Sequence, residues 1–220
     1  MSEHTISTHP DHAGPILSRT DRLSAPLRAI LVERARPDDP AYEPRAVSPE
    51  QLAVLRAVLS HVVPQDRSAV SIDLAARLDA MMADETGNGW RYEALPGDPD
   101  AYRFGLDTLD AMARAAGADG YAGLAHERQH ALLAQIAEAS DADGRSPTAP
   151  LTRAQMALWF EELRSDAIRL YVAHPAVMAE IGYSGPLNGA GSGAAFDGFE
   201  RVGMNEREPF EPNAQTGVRT

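Results

Sequence analysis

The chain predicts an all-α fold, an antiparallel helical bundle of about five to six helices followed by a long irregular Gly/Pro-rich tail. Three observations lead there. Apolar residues recur at helical spacing in several windows, cap residues and prolines bracket those windows, and no segment alternates convincingly with a period of two.

Residues 1–23 are polar and aperiodic and are expected to form a disordered arm. A short helical piece follows at 25–35, then the Pro-rich connector PDDPAYEP. The first strong helix is SPEQLAVLRAVLSHVVP. Ser48 is its N-cap, Pro49 its first residue and Gln51 completes a capping box. Leu52, Leu55, Val58, Leu59 and Val62 form its apolar stripe, and Pro64 ends it. A second helix is expected at about 70–83, with Ile72, Ala75, Ala76, Leu78 and Met82 inward. After the loop TGNGWRYEALPGDP a third spans about 99–116, with Tyr102, Leu106, Leu109, Met112 and Ala113 on one face. Gly117 is its stop. A fourth covers 120–139, a fifth runs from the Thr152 cap to the approach of Pro175, and AVMAEI adds a short turn. The helical domain is thus expected over 24–181, the tail over 182–212 and a disordered end over 213–220. Seven glycines fall between 182 and 203, yet three of five phenylalanines lie beyond 190, more large apolar groups than a flexible linker carries.

Composition narrows the chemistry. A net charge of −12 argues against nucleic acid or an anionic membrane surface as partner. Cysteine is absent, which removes iron–sulfur clusters, thiolate zinc and disulfides. Lysine is absent too, so neither a Schiff-base nor a P-loop lysine exists here. No apolar run approaches the roughly 18 residues of a membrane span. With no export address in the sequence as written, cytoplasmic residence is expected, and periplasmic residence follows if a partner carries the signal.

Two motifs invite catalytic readings. His126, Glu127 and His130 form H-E-x-x-H on a predicted helix, the spacing by which two histidines one turn apart bind zinc while the Glu activates water. Glu162 is a tempting further ligand. On a helical wheel, however, both histidines lie on the flank or solvent side of the apolar stripe, so no metal is expected here, with a zinc-dependent hydrolase kept as an alternative. Gly189, Gly191 and Ala194 match the dinucleotide fingerprint, but neither a strand precedes them nor a helix of useful length follows. Other residues read as structural. Glu161, Glu162 and Asp166 read as a solvated face with Arg164 and Arg169, Trp90 and Trp159 as core or interface anchors, and His61 and His174 as groups near helix C-termini. No catalytic or cofactor-binding residue emerges.

Five pieces in order, HVVPQD with SID (61–73), YRFGLDTLDAMA (102–113), Tyr121 and Leu124 with Gln129, Leu132 and Leu133, WFEELRSDAIRLYVAHP (159–175), and IGYSGP with DGFERVG and EPFEP, resemble the gluconate 2-dehydrogenase subunit 3 family over roughly residues 48–212. In that alignment the H-E-x-x-H is an ordinary helix position, and Gln129 with the Leu pair is the family signal. The resemblance implies a non-catalytic small subunit that stabilises or chaperones a large FAD-dependent dehydrogenase of the glucose–methanol–choline type. That partner would oxidise a sugar, sugar acid or related alcohol, and the family also admits a cytochrome c subunit as electron acceptor. FAD is expected in the partner, with no cofactor in this chain. The twin-Arg signal frequent in the family is absent as written. Tyr183, Phe196, Phe199 and Phe210 are candidate docking anchors, with Arg201 and Arg207 as bidentate donors. The same rings could instead wrap the chain's own helices, and a freestanding helical interaction protein is a further alternative.

Overall fold

A computed structural model describes residues 13–68, 70–87, 89–139, 150–188, 201, 203–204 and 206–208. Among them are eight α-helices, one 3-10 turn and no strand. The helices are α1 (Gly14–Leu17), α2 (Ala25–Arg34), α3 (Pro49–Val62), α4 (Leu74–Ala83), α5 (Asp98–Ala115), α6 (His126–Ala137), α7 (Arg153–Val172) and α8 (Pro175–Glu180), with the 3-10 turn at Gly185–Asn188. The all-α class holds. The chain falls into two compact units, a smaller one drawn from 1–39, 65–72 and 171–220 and a larger one from 40–64 and 73–170.

In the larger unit α3 packs against α4, α5 and α6, and α4 also meets α5. The capping box forms as expected: Ser48 Oγ accepts from the Gln51 N–H (3.1 Å) while Gln51 Oε1 accepts from the Ser48 N–H (2.9 Å). Thr152 and Gln155 repeat the exchange before α7. The buried interior gathers Leu55, Val58, Leu78, Leu106, Leu109, Trp159 and Leu163, each fully enclosed or nearly so. Trp159 is therefore core rather than an interface anchor. Its indole lies against Gly105 of α5, where a Cβ would overlap the ring.

Asp79, wholly buried on α4, ties down the preceding loop. Its Oδ1 accepts from the N–H groups of Ala46 (2.9 Å) and Val47 (2.8 Å), and its Oδ2 from the Arg45 N–H and the Tyr42 hydroxyl (2.7 Å each). Burial would raise this carboxyl, but the donors of Arg45, Tyr42, Val47 and Ala46 outweigh it and hold the group below its ordinary value.

The smaller unit corrects the expectation of a disordered arm over 1–23. From Ala13 onward the segment carries α1, and Ile16 and Leu23 bury against Leu31, Met178, Ala179 and Leu187. Residues 1–12 and 213–220 lie outside the described residues. A four-residue helix is too short to show a period, which is why the sequence hides it. His174 caps the N-terminus of α8, its Nδ1 accepting from the Ala176 N–H at 3.2 Å, instead of favouring the C-terminus of α7. Just beyond α8, Gly182 takes a positive φ of 71°, which brings the Tyr183 N–H onto the Met178 carbonyl (2.8 Å).

Other boundaries shift. Helix α4 begins at Leu74, four residues later than expected, because Asp73 caps the Ala76 N–H at 3.1 Å and the Gln65 side chain holds both backbone groups of Ile72 in an extended segment. Helix α6 begins six residues late. Gly117 stops α5 with φ 84°, and the Tyr121 N–H then bonds Asp110 Oδ1 at 2.8 Å, so 118–125 form turns. At the end of α3 it is Val63 that is buried, with Val62 only partly so.

Candidate functional site

His126, Glu127 and His130 are all exposed on the first turns of α6. Gln129, between them, is buried and acts as a hub. Its Nε2 donates to the carbonyls of Tyr121 (3.1 Å) and Ala122 (3.4 Å), which turns Oε1 toward His61 Nε2 at 3.0 Å. Because the amide orientation is set by two carbonyls, His61 Nε2 must be the donor and carries the proton. The His61 ring lies 4.0 Å from His126 and 6.1 Å from His130, centroid to centroid. His61, which the sequence does not connect to this motif, is thus a neighbour of both its histidines. Even so, among the described residues no three His, Cys, Asp or Glu side chains are arranged to hold a metal ion.

Glu162, weighed as a zinc ligand and then as part of a solvated face, is neither exposed nor among these histidines. It is buried with Asp166 on α7, near Asp98. Asp166 accepts from the Tyr102 hydroxyl (2.9 Å) and from Arg169 Nη2 (2.8 Å). Burial, then the Asp98 and Asp166 carboxylates, push the Glu162 carboxyl up to about 7, with Arg91 opposing. Asp98 is raised by burial and by Asp166. A carboxyl near neutrality suits acid–base work, but burial and like charge in a core shift pKa values in the same way.

This cluster has a measurable consequence. Unfolded Glu162 releases its proton near the ordinary 4.5, whereas folded Glu162 keeps it to about 7. Between those values the folded state binds more protons, so stability falls as pH rises and the loss is complete above about 7. The expected loss is about 1–3 kcal/mol, and Glu162→Gln should remove it. Urea denaturation across this pH range checks it; an unchanged slope in the variant rules the assignment out.

The described tail residues, Tyr183, Arg201 and Arg207, fall in the smaller unit. Tyr183 is about half exposed, at 53%, and its ring folds over Gly185. Arg201 donates its backbone N–H to Glu208 Oε1 (2.7 Å) and Nη1 to the Arg207 carbonyl (3.1 Å). Arg207 Nη2 donates to the Gly182 carbonyl (3.3 Å), so the stretch folds back toward the end of α8. Each arginine thus gives at least one donor to its own chain. Phe196, Phe199 and Phe210, like Gly189, Gly191 and Ala194, lie outside the described residues.

The model of gluconate 2-dehydrogenase subunit 3 matches residues 49–185, well over half of the chain and the whole run from the start of α3 to the 3-10 turn. The chain belongs to the gluconate 2-dehydrogenase subunit 3 family. No curated protein and no solved structure gives a significant match. Membership as a subunit implies a partner chain. The family match takes in His61, His126, Gln129, His130 and Tyr183, and it ends before the glycine-rich stretch. Within it no helix is long and apolar enough to cross a membrane, as holds for all the described residues. Sequence reasoning missed the His61–Gln129 contact, although Gln129 had already stood out as a family position; its burial on an otherwise polar stretch of α6 is what that signal marks.

Proposed function

We propose that the chain is a non-catalytic accessory subunit of a flavin-dependent sugar or sugar-acid dehydrogenase of the gluconate type. Its role is to stabilise or chaperone a large FAD-binding subunit of the glucose–methanol–choline kind. The single observation that carries this is the family match over 49–185. FAD belongs to the partner, a cytochrome c subunit to the same proposed assembly, and the compartment follows whichever chain carries a signal.

Co-expression with an FAD-dependent large subunit from the same genome, followed by affinity capture on this chain, tests the reading. Stoichiometric recovery of a flavin-containing protein is the expected result; capture of this chain by itself rejects it. The tail's part is tested by deleting 189–212. The deletion starts there because Leu187 is fully buried in the core of the smaller unit and must stay. Loss of the flavoprotein with helicity retained assigns docking to the tail, and unchanged recovery excludes it.

A further inference from the structure

A groove of about 890 Å³ lies on the larger unit between the first turns of α3, the outer face of α5 and the 119–123 loop. Its floor is made of small or apolar groups, chiefly Ala53, Val54, Ala111, Ala115 and Ala122. Around them stand four carboxylates, Glu50, Asp107, Asp110 and Asp119. Asp110 is already engaged, accepting from the Tyr121 N–H and pairing with Arg114 at 2.7 Å. Arg114, the groove's cation, also donates to the Asp119 carbonyl at 3.2 Å. None of the other three carboxylates stands in an ion pair among the described residues. Asp107 accepts from the Gln51 amide (2.8 Å) and Glu50 from the Ser48 hydroxyl (2.8 Å). The groove therefore presents three uncompensated negative charges above an alanine-rich floor.

We infer that this groove receives an arginine- or lysine-bearing segment of the large flavoprotein subunit, an inference that rests on the proposed function. Charge complementarity selects the occupant: a cation entering between Glu50, Asp107 and Asp119 gains their field without breaking an existing ion pair. A floor of alanines lets a backbone approach closely, which favours a chain segment over a lone side chain. The wall is also held in place before docking. Gln129 donates to the carbonyls of Tyr121 and Ala122, and Asp110 takes the Tyr121 N–H, so the loop does not have to be ordered at the moment of binding. On this view the buried Gln129 is a positioning residue for the docking wall, and the histidines around it are bystanders.

Asp107→Arg with Asp119→Arg reverses the rim at two exposed positions, and Ala53→Trp fills the floor at a third. A control pair, Glu43→Arg with Glu138→Arg, makes the same change in net charge at exposed positions elsewhere on the unit. Co-expressed with the flavoprotein, both groove variants should recover at least about tenfold less flavin per chain, at unchanged helicity, while the control recovers as much as wild type. A photo-crosslinker at position 53 should couple to an Arg- or Lys-bearing peptide of the flavoprotein. Groove variants that recover wild-type flavin overturn the inference and leave the proposed function standing. Equal losses in the control, or crosslinks to a second copy or to this chain's own tail, also overturn it. A wild type that recovers no flavoprotein removes the proposed function, and the docking site with it.

Discussion

Replacing Asp79 with Asn should cost about 2–4 kcal/mol of stability, and replacing it with Ala about 3–5 kcal/mol, among the largest losses any single side chain here can produce. The carboxylate is wholly buried and accepts four hydrogen bonds, three of them from consecutive backbone N–H groups of a loop distant in sequence. Asn offers one oxygen. With that oxygen kept on Ala46 and Val47, its NH2 faces the half-buried Arg45 N–H, which then loses its acceptor, although the Tyr42 hydroxyl can turn to accept. Ala orphans all four donors. The two variants should therefore separate in urea midpoint, Ala below Asn, and Tyr42→Phe should cost only about 1 kcal/mol. The pH dependence carries a sign. Because the folded carboxyl lies below its ordinary value, its contribution is fully present above about pH 4 and is lost as pH falls through the folded pKa. Asn should abolish that acid limb, and equal midpoints for wild type and Asp79→Asn at neutral pH would refute the account.

The second large effect is expected from one methyl group. Gly105 sits mid-helix in α5, where alanine normally gains about 0.5–1 kcal/mol. Here the new Cβ would overlap the Trp159 indole, which is fully enclosed and has no open side to move into. Overpacking of this kind costs about 1–3 kcal/mol and should exceed the helical gain, lowering Tm by several degrees. The decisive measurement is a double-mutant cycle. In a Trp159→Leu background, Gly105→Ala should become neutral or stabilising, because the space is free and only the propensity term remains. An equal loss in both backgrounds would place the strain elsewhere.

Legibility followed locality. Helices α3, α5 and α7 were readable because each carries its own start signal and a long apolar stripe: Ser48–Pro49–Gln51, Asp98–Pro99 and Thr152–Gln155. The true start of α6 was hidden because GYAGLA reads as apolar helix, while what decides it is Asp110, a neighbour only after folding, claiming the Tyr121 N–H. The burial of Glu162 was hidden for the same reason: among Glu161, Asp166, Arg164 and Arg169 it reads as part of a solvated face, and only the approach of Asp98 and Tyr102 from α5 makes it interior. The candidate site shows the same division. The wheel puts His126 and His130 on the flank or solvent side, and both are exposed, whereas the approach of His61, from a different helix, leaves no periodic trace.

The composition of the smaller unit also sets an order in time. Its core joins Ile16, Leu23 and Leu31 from the beginning of the chain to Met178, Ala179 and Leu187 near its end. During synthesis, at roughly 5–20 residues per second, the early aliphatic groups leave the ribosome well before their counterparts exist. The larger unit, whose segments close between residues 40 and 170, can complete first. The later stretch is thus the one that ends the exposure of the earlier, and a chain interrupted before Met178 is left with a sticky segment around Ile16, Leu23 and Leu31 that chaperones or proteases would be expected to recognise.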